Sequence, residues 1–241
     1  MKVVILAGGL GKRLRPLTED RPKILVEVCK RPILEWHIHW LSKYGFKDFV
    51  LLLGHAKEKV LEEVGSGKKY GINVAYIVED EPLGTGGAIK NAEGLLRNEE
   101  WFLVINGDVI TDLNPLMLLE VIKGSNAIAC IALVHMRSPY GIVKVVEGYV
   151  KEFLEKPILE YTINAGVYVM KPQIFDYLPE KGDIEVTAFP RLAEEGKLKG
   201  HVFKDVLWKS VDTIKDLEEC ESLLRQKYPE FCKKNQNLFN Q

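Results

Sequence analysis

The first 28 residues contain the feature that most constrains the fold, an apolar run followed directly by a glycine-rich, basic segment. Residues 3–6 read VVIL, and residues 7–18 then read AGGLGKRLRPLT. A short buried strand of this kind delivers the chain to the carboxyl edge of a sheet. Glycines at that edge let the backbone approach phosphate oxygens and point N–H groups at them. The segment therefore predicts a loop that binds a nucleoside triphosphate.

Basic side chains are concentrated in the same segment. Only Glu19 and Asp20 oppose five cations, which are Lys12, Arg13, Arg15, Arg21 and Lys23. Lysine and arginine pair with phosphate oxygens through charge-assisted hydrogen bonds. The alternative is a strand-to-helix turn with a solvated basic face, and the Pro-Lys pair at 22–23 weighs against it.

Two better-known glycine loops do not fit this sequence. A dinucleotide fingerprint needs G-x-G-x-x-G, but counting from Gly9 places Leu14 at the third glycine position. A P-loop needs G-x-x-x-x-G-K-[ST], and around the Gly-Lys pair at 11–12 the chain has Leu6 and Arg13 instead. The loop therefore belongs to neither class.

Strand-like and helix-like patterns alternate through the first half of the chain. This alternation predicts an α/β fold, with a Rossmann-like, mainly parallel sheet covered by helices on both faces. The expected strands are 3–6, 49–53, 74–78 and 101–105, and the expected helices are 32–45, 60–64 and 85–97.

The second half has more strand-like segments and predicts a mixed extension of the sheet. These segments are 128–134, 142–146, 149–154 and 166–170, with a hairpin turn at Glu147-Gly148. Asp183 is expected to cap a helix that runs to Glu195, and Thr213 to cap one that runs to Leu224.

Composition is typical of a compact enzyme. The chain has 241 residues, 46% of them hydrophobic, and a formal net charge of −1. That balance argues against a nucleic-acid or membrane partner, and no apolar run reaches transmembrane length, so a cytoplasmic location is expected. The four cysteines form no C-x-x-C pair and are predicted to be reduced thiols.

The order of residues from Leu6 to Val28 resembles the signature of the sugar-1-phosphate nucleotidyltransferases, L-A-G-G-x-G-x-R-L-x-P-L-T followed by P-K-x-x-x-x-V. Later segments are similar to further motifs of that family, in its order. These are EPLGTGG at 81–87, NGD at 106–108, YG at 140–141, EKP at 155–157 and NAG at 164–166. The likeness is strongest to the guanylyltransferases that make GDP-mannose, over roughly residues 1–222. The left-handed β-helix that often follows in those proteins has no room here.

The resemblance implies a nucleotide-diphospho-sugar transferase fold and an activity. The expected domain spans 1–225, with a nucleotide-binding half at about 1–110, a sugar-phosphate half at about 111–222, and a tail at 226–241. The tail's aromatic residues are expected to dock on the domain or on a partner subunit. The implied reaction joins a nucleoside monophosphate from an NTP to a sugar 1-phosphate, with Mg²⁺ as cofactor. GTP and mannose 1-phosphate are favoured, and a homo-oligomer is possible.

The resemblance also implies roles for individual residues. Arg13, Lys23 and Asp108 are the expected catalytic residues. The expected nucleotide-binding residues are Leu6, Ala7, Gly8, Gly9, Gly11, Arg13, Lys23, Glu81, Pro82, Leu83, Gly84, Thr85, Asn106 and Gly107. The expected sugar-phosphate-binding residues are Gly141, Glu155, Lys156, Asn164 and Gly166. For the base pocket at 81–85, a main-chain loop with Gly84 is expected to lie flat against the base edge. The alternative is a helix start capped by Thr85, which is compatible with binding because helix termini offer free N–H groups.

The metal ligands are expected to be Asp108 and Asp212. Asp108 follows an apolar strand and a glycine, which places a hard oxygen ligand near the glycine-rich loop, although an Asn-Gly-Asp turn is the alternative. The family has a W-x-D-x-G pattern for its second carboxylate, and this chain has Ser210 in place of that aspartate. Asp212 either replaces the missing ligand or caps the final helix, and both interpretations stay open.

Two other functions remain open from the sequence. One is a uridylyl- or thymidylyltransferase that acts on glucose or N-acetylhexosamine 1-phosphate, because such enzymes share the scaffold. The other is a catalytically silent protein that binds a nucleotide sugar, a possibility raised by Ser210.

Overall fold

Alternate residues of the first strand enter two different cores. In the computed structural model, which describes residues 1–233 and 238–239, Val3 and Ile5 pack into one apolar core and Val4 packs into the other. All three side chains are fully buried. A strand that is buried on both faces belongs to a sheet covered by helices on both sides.

The main sheet has seven strands and is mixed but mostly parallel. The described residues contain thirteen strands, of which the other six form three two-stranded sheets. In chain order they are β1 (Lys2–Ala7), β2 (Glu27–Val28), β3 (Arg31–Pro32), β4 (Asp48–Leu53), β5 (Asn73–Val78), β6 (Phe102–Asn106), β7 (Val109–Thr111), β8 (Ala129–Arg137), β9 (Ile142–Val146), β10 (Tyr149–Leu154), β11 (Ile158–Met170), β12 (Leu198–Phe203) and β13 (Trp208–Ser210). The sheet order is β12-β8-β11-β6-β1-β4-β5. Strand β11 is antiparallel to both neighbours, and the other adjacent pairs are parallel. The predicted fold class is confirmed.

Helices cover both faces of this sheet. They are α1 (Ile33–Ser42), α2 (Lys57–Val64), α3 (Gly84–Asn91), α4 (Glu93–Leu96), α5 (Leu116–Ile122), α6 (Ala188–Glu194) and α7 (Ile214–Lys227). Residues of α1, α2, α5 and α7 enter one core, and residues of α3, α4 and α6 enter the other. No helix in the described ranges is long and apolar enough to cross a membrane.

Local predictions for turns and caps are partly confirmed. Thr213 caps α7 through a reciprocal capping box with Asp216. Glu147 and Gly148 join β9 to β10, and both have positive φ, which the tight hairpin turn requires. The predicted helix over 85–97 is instead two helices, α3 and α4, separated at Ala92.

The predicted cap at Asp183 is wrong. Helix α6 begins only at Ala188, because the intervening segment is held against α3. The Asp183 carboxylate accepts a hydrogen bond of 3.0 Å from the backbone N–H of Thr85. A tertiary contact has therefore taken the oxygen that a local cap would use.

The prediction of four reduced thiols is wrong for one pair. Cys29 and Cys232 form a disulfide across 203 residues of sequence, whereas Cys130 and Cys220 are free and buried. A spacing rule detects only cysteines that are near in sequence, and the fold brings this pair together. The part of the tail that the structure describes, 226–233 and 238–239, docks on the domain: Tyr228 and Phe231 pack edge-on against Trp36.

Candidate functional site

A cavity of about 460 Å³ opens at the carboxyl ends of β1, β5 and β6. Its size falls within the roughly 300–1,000 Å³ usual for small-molecule sites. Its wall contains most of the predicted nucleotide-binding residues, namely Leu6, Ala7, Gly8, Gly9, Gly11, Arg13, Lys23, Pro82, Gly84, Thr85, Asn106 and Gly107, together with Asp108 and Asp212.

Two glycines allow the strands to converge on this cavity. The N–H of Gly107 donates to the Leu6 carbonyl at 2.9 Å, and a Cβ at position 107 would lie 2.4 Å from that oxygen. A Cβ at Gly8 would lie 2.3 Å from Oε1 of Glu79. A side chain at position 107 would therefore push the ends of β1 and β6 apart, and one at position 8 would displace the Glu79 carboxylate.

A cluster of opposite charges forms one wall of the cavity. The Lys23 ammonium lies 2.9 Å from Oδ2 of Asp108 and 2.8 Å from Oδ1 of Asp212. The guanidinium of Arg13 lies 2.8 Å from the same Asp212 oxygen. The fold thus brings together the glycine-rich loop, the end of β6 and the start of α7.

The Asp212 side chain faces the cavity and does not cap α7. Thr213 holds the cap position, and Ser210 donates a hydrogen bond of 3.0 Å to Oδ2 of Asp212. Burial acts to raise the pKa of Asp212, but hydrogen bonding and charge from Lys23, with help from Ser210 and Arg13, outweigh it and lower that pKa. Asp212 is therefore held as an anion.

The Asp108 and Asp212 carboxylates fit a hard divalent cation such as Mg²⁺. They come from different elements and converge on a single positive charge, that of Lys23. Within the part of the chain that the structure describes, no group of three or more His, Cys, Asp or Glu side chains is arranged to hold a metal. Two protein carboxylates leave several positions to phosphate oxygens and water, as is usual for Mg²⁺.

The structure places Glu81 away from the cavity wall. Its side chain is 67% exposed and pairs with Lys181 at 2.7 Å, and Leu83 is also outside the wall. A different glutamate, Glu79, lies on the wall, and sequence reasoning missed it. Burial raises the pKa of Glu79, and a hydrogen bond from the Leu83 N–H partly opposes that shift. The missed signal was its position directly after β5.

The expected free N–H groups at the start of α3 are already used by the protein. Thr85 donates to Asp183, and the N–H groups of Gly86 and Gly87 donate to the Gly182 carbonyl at 2.9 and 3.1 Å. The expectation is wrong for these three groups. They hold the segment at 182–183 on the rim of the cavity.

A hydrogen-bonded chain links two predicted acceptor residues to the nucleotide side. Asn164 accepts from the Gly166 N–H at 2.9 Å and donates to the Tyr168 hydroxyl at 2.9 Å. Tyr168 donates to Glu185 at 3.3 Å, and Thr85 donates to the same carboxylate at 2.6 Å. Sequence reasoning missed Tyr168 and Glu185, because they meet only in the folded chain, where Glu185 accepts from Tyr168 of β11 and from Thr85 of α3.

All five predicted acceptor residues lie outside the cavity wall. Gly141 precedes β9, and Glu155 and Lys156 follow β10, at the base of the β9–β10 ribbon. Both charged side chains are exposed and lie 4.0 Å apart. The structure therefore groups the nucleotide residues in one cavity and leaves these three beside a projecting ribbon.

Comparison with known proteins finds similarity to nucleotidyl transferases over most of the chain. A family model described as nucleotidyl transferase matches residues 2–227. A mannose-1-phosphate guanyltransferase of Yarrowia lipolytica is 39% identical over 207 residues, which cover 82% of this chain and 57% of the relative. Mannose-1-phosphate guanyltransferase beta-A of Xenopus laevis is 34% identical, over 96% of this chain and 68% of the relative. The chain thus spans under three-fifths of the length of the first curated relatives it matches.

Solved structures share the fold. A putative glucose-1-phosphate thymidylyltransferase from Bacillus anthracis, in complex with a sucrose, has a TM-score of 0.78 at 23% identity and covers 99% of this chain and 98% of its own. HddC from Yersinia pseudotuberculosis, complexed with GMP-PN, has a TM-score of 0.72 at 30% identity and covers 92% of this chain and 99% of its own.

Proposed function

The chain belongs to the nucleotidyl transferase family, and from this premise we propose that it transfers GMP from GTP to mannose 1-phosphate and releases pyrophosphate. The observation that carries the proposal is the meeting of Arg13, Lys23, Asp108 and Asp212 on one wall of the cavity. Such a wall can accept a triphosphate and a divalent cation together.

The proposed reaction needs no nucleophile from the protein. A sugar 1-phosphate has a second pKa of about 6, as phosphate monoesters do, so its oxygen is anionic near neutral pH. That oxygen forms a bond to the α-phosphorus while the bond from the α-phosphorus to the bridging β oxygen breaks. Pyrophosphate leaves with the electron pair of the broken bond.

The protein contributes position and charge to this reaction. Arg13 binds the β- and γ-phosphates, Lys23 moves from the two carboxylates to the α-phosphoryl group, and Lys156 binds the acceptor phosphate. When bound by Asp108 and Asp212, Mg²⁺ would neutralise charge on the triphosphate. The predicted halves at 1–110 and 111–222 are proposed to bind the nucleotide and the sugar phosphate.

Glu79 supports guanine as the base. Guanine presents adjacent N1–H and N2–H donors, and a carboxylate with two oxygens can accept from both, whereas the same edge of uracil or thymine offers a single N3–H donor between two carbonyl oxygens that would repel the second carboxylate oxygen. Glu79 lies on the cavity wall beside Gly8. The guanyltransferase names of the relatives and the GMP-PN complex of HddC support the same assignment.

A matrix of nucleoside triphosphates against sugar 1-phosphates tests the proposal, with pyrophosphate release as the readout. GTP with mannose 1-phosphate should give the highest kcat/KM, at least about tenfold above UTP or dTTP, because one or two hydrogen bonds supply that discrimination. The Asp108→Asn variant serves as the inactive control. A preference for UTP or dTTP would establish the uridylyl- or thymidylyltransferase instead. Nucleotide-sugar binding without turnover of any pair would establish a silent binding protein.

A further inference from the structure

The carboxylate of Glu185 joins two elements that belong to opposite sides of the proposed reaction site. Glu185 lies in the segment that leads into α6, and one of its oxygens accepts a hydrogen bond of 2.6 Å from the Thr85 hydroxyl. The other oxygen accepts a hydrogen bond of 3.3 Å from the hydroxyl of Tyr168 in β11. Thr85 lies on the wall of the nucleotide cavity, whereas Tyr168 contacts the predicted acceptor residue Asn164. One side chain therefore connects the two sides.

The charge of Glu185 fixes the direction of both hydroxyl groups. No lysine, arginine or histidine in the described part of the chain forms an ion pair with this carboxylate, so the two hydroxyl donors stabilise its charge. An ionised carboxylate only accepts hydrogen bonds, and these are roughly twice as strong as bonds between neutral groups. Burial, together with the charge of Glu185, raises the pKa of the Tyr168 hydroxyl, which therefore remains a donor near neutral pH. Both hydroxyl hydrogens are thus directed at Glu185.

The link through Tyr168 supports a bulge in β11. The Tyr168 oxygen accepts from the Asn164 side-chain amide at 2.9 Å, and the Asn164 side-chain oxygen accepts from the Gly166 N–H at 2.9 Å. Over this stretch β11 advances four residues while the paired strand β8 advances two. Gly166 has a φ of +71°, and an added Cβ there would lie 3.0 Å from Nδ2 of Asn106 on the cavity wall. The bulge thus brings part of the predicted acceptor side to the nucleotide cavity.

The link through Thr85 supports the first turn of α3. The Thr85 hydroxyl accepts from the Ile184 N–H at 3.0 Å while it donates to Glu185, and the Thr85 N–H donates to the Asp183 carboxylate. Gly84, directly before Thr85, also lies on the cavity wall. A nucleotide that contacts this turn therefore contacts the structure that holds Glu185.

We propose that Glu185 is a positioning residue that couples the nucleotide side of the site to the acceptor side, an inference that rests on the proposed function. A nucleotide bound beside Thr85 orders the first turn of α3 and with it the Glu185 carboxylate. The ordered carboxylate holds Tyr168, and Tyr168 holds the bulge at Asn164 and Gly166. The sugar phosphate then meets an acceptor side that is already ordered, so its binding costs less conformational entropy. Because such coupling is reciprocal, the sugar phosphate tightens nucleotide binding by the same factor.

Hydrogen exchange of the free protein tests the physical link without any substrate. Glu185→Gln keeps the size of the side chain but replaces one acceptor oxygen with a donor. Exchange of backbone N–H groups should become at least about tenfold faster both at 84–87 and at 164–168. The matched control is Glu195→Gln, which changes a carboxylate that also accepts from a tyrosine hydroxyl, that of Tyr177 at 2.6 Å, but lies outside the cavity wall. The control should leave both segments unchanged, and circular dichroism should show both variants folded. An unchanged rate at either segment in Glu185→Gln would overturn the link.

Isothermal titration calorimetry then measures the coupling between the two substrates. The affinity for mannose 1-phosphate is determined with and without a GTP analogue that has a methylene group between its α- and β-phosphates, so no transfer occurs. In the wild type and in Glu195→Gln, the analogue should tighten mannose 1-phosphate binding about fivefold or more. In Glu185→Gln, and in Tyr168→Phe, which removes only the acceptor-side hydroxyl, that factor should fall by about threefold or more.

The ratio of the two affinities separates coupling from a merely structural role. A structural role would weaken mannose 1-phosphate binding equally with and without the analogue and leave the factor unchanged. An unchanged factor in both variants, or an active wild type without any coupling, would therefore overturn the proposal. Inactivity of the wild type with every substrate pair would count against the proposed function and leave the hydrogen-exchange result intact.

Discussion

The Lys23 ammonium lies 2.8 Å from Oδ1 of Asp212, although 189 residues separate the two in sequence. The same ammonium also contacts Asp108, so one lysine joins both carboxylates, while Arg13 adds a second positive charge beside Asp212. A triphosphate that enters the cavity brings its own negative charge and competes for this lysine. Nucleotide and divalent cation are therefore expected to bind together, and Asp108 and Asp212 are the residues that would hold the cation.

Asp212→Asn should raise the Mg²⁺ concentration needed for half-maximal rate and lower kcat by about tenfold or more, because a neutral amide is a weaker ligand than a carboxylate. Ser210→Ala should have a much smaller effect, since it removes one hydrogen bond of about 1 kcal/mol to an anion that remains in place. A Mg²⁺ titration of both variants measures the difference. Identical half-saturation in both would show that Asp212 does not bind the metal.

Lys23→Ala should lower kcat more than it raises KM for GTP. The reason is that the ammonium is proposed to meet charge that develops at the α-phosphoryl group in the transition state. Arg21→Ala is the matched control, because Arg21 is in the same basic segment but pairs with Asp20 outside the cavity wall. Steady-state kinetics with varied GTP separates the two parameters. An effect confined to KM would make Lys23 a ground-state binding residue.

Glu79→Gln should reduce the preference for GTP over UTP by roughly tenfold, because the amide replaces one acceptor oxygen with a donor that opposes the N–H groups of guanine. Glu81→Gln is the matched control, since that carboxylate is exposed and bound to Lys181. Competition between GTP and UTP in one reaction measures the ratio directly. If the control variant shifts the ratio and Glu79→Gln does not, the base site lies toward Glu81.

The parts of the fold that depend on local chemistry were predictable from the sequence. Strand β1 is apolar from Val3 to Ala7, the turn at 147–148 contains a glycine, which positive φ favours, and the cap at Thr213 has its partner three residues later. Each of these signals lies within a few residues of the structure it specifies. The glycine-rich loop was predictable for the same reason.

The parts that depend on distant contacts were not predictable. The sequence around Asp183 is typical of a helix cap, but in the structure its carboxylate accepts a hydrogen bond from the backbone N–H of Thr85 in helix α3. The role of Asp212 was ambiguous because it sits directly before a helix, and only the positions of Lys23 and Ser210 resolve its orientation. The position of Glu79 on the cavity wall follows only from the pairing of β5 with β4, which brings the end of β5 to the cavity.

Reduction of the disulfide between Cys29 and Cys232 should destabilise the protein. The bond closes a very long loop, and such cross-links typically contribute about 3 kcal/mol, which corresponds to a fall in Tm of roughly 6–12 °C for a domain of this size. Thermal unfolding of the wild type with and without reductant measures the effect. The Cys232→Ser variant should melt near the reduced wild type and should not respond further to reductant. An equal Tm in all four samples would show that the cross-link adds no stability.

Stability should fall as the pH drops from 7 to 5, in part because of His37. This side chain is fully buried, and its Nε2 lies 2.8 Å from the Val109 carbonyl oxygen. Burial lowers the pKa of His37 from 6.5 to about 4, only partly offset by that hydrogen bond and by the charge of Asp108. Because the pKa in the folded state lies below that in the unfolded state, the unfolded chain takes up more protons as the pH falls through this range.

That uptake should cost the wild type about 2 kcal/mol of unfolding free energy from His37 alone between pH 7 and 5. The comparison is with His37→Gln, whose amide can still donate to Val109 but does not titrate, while other groups such as His39 contribute equally to both proteins. Urea denaturation at the two pH values gives the free energies. The variant should lose about 2 kcal/mol less than the wild type over this interval. Equal losses in the two proteins would show that His37 does not take part in the acid response.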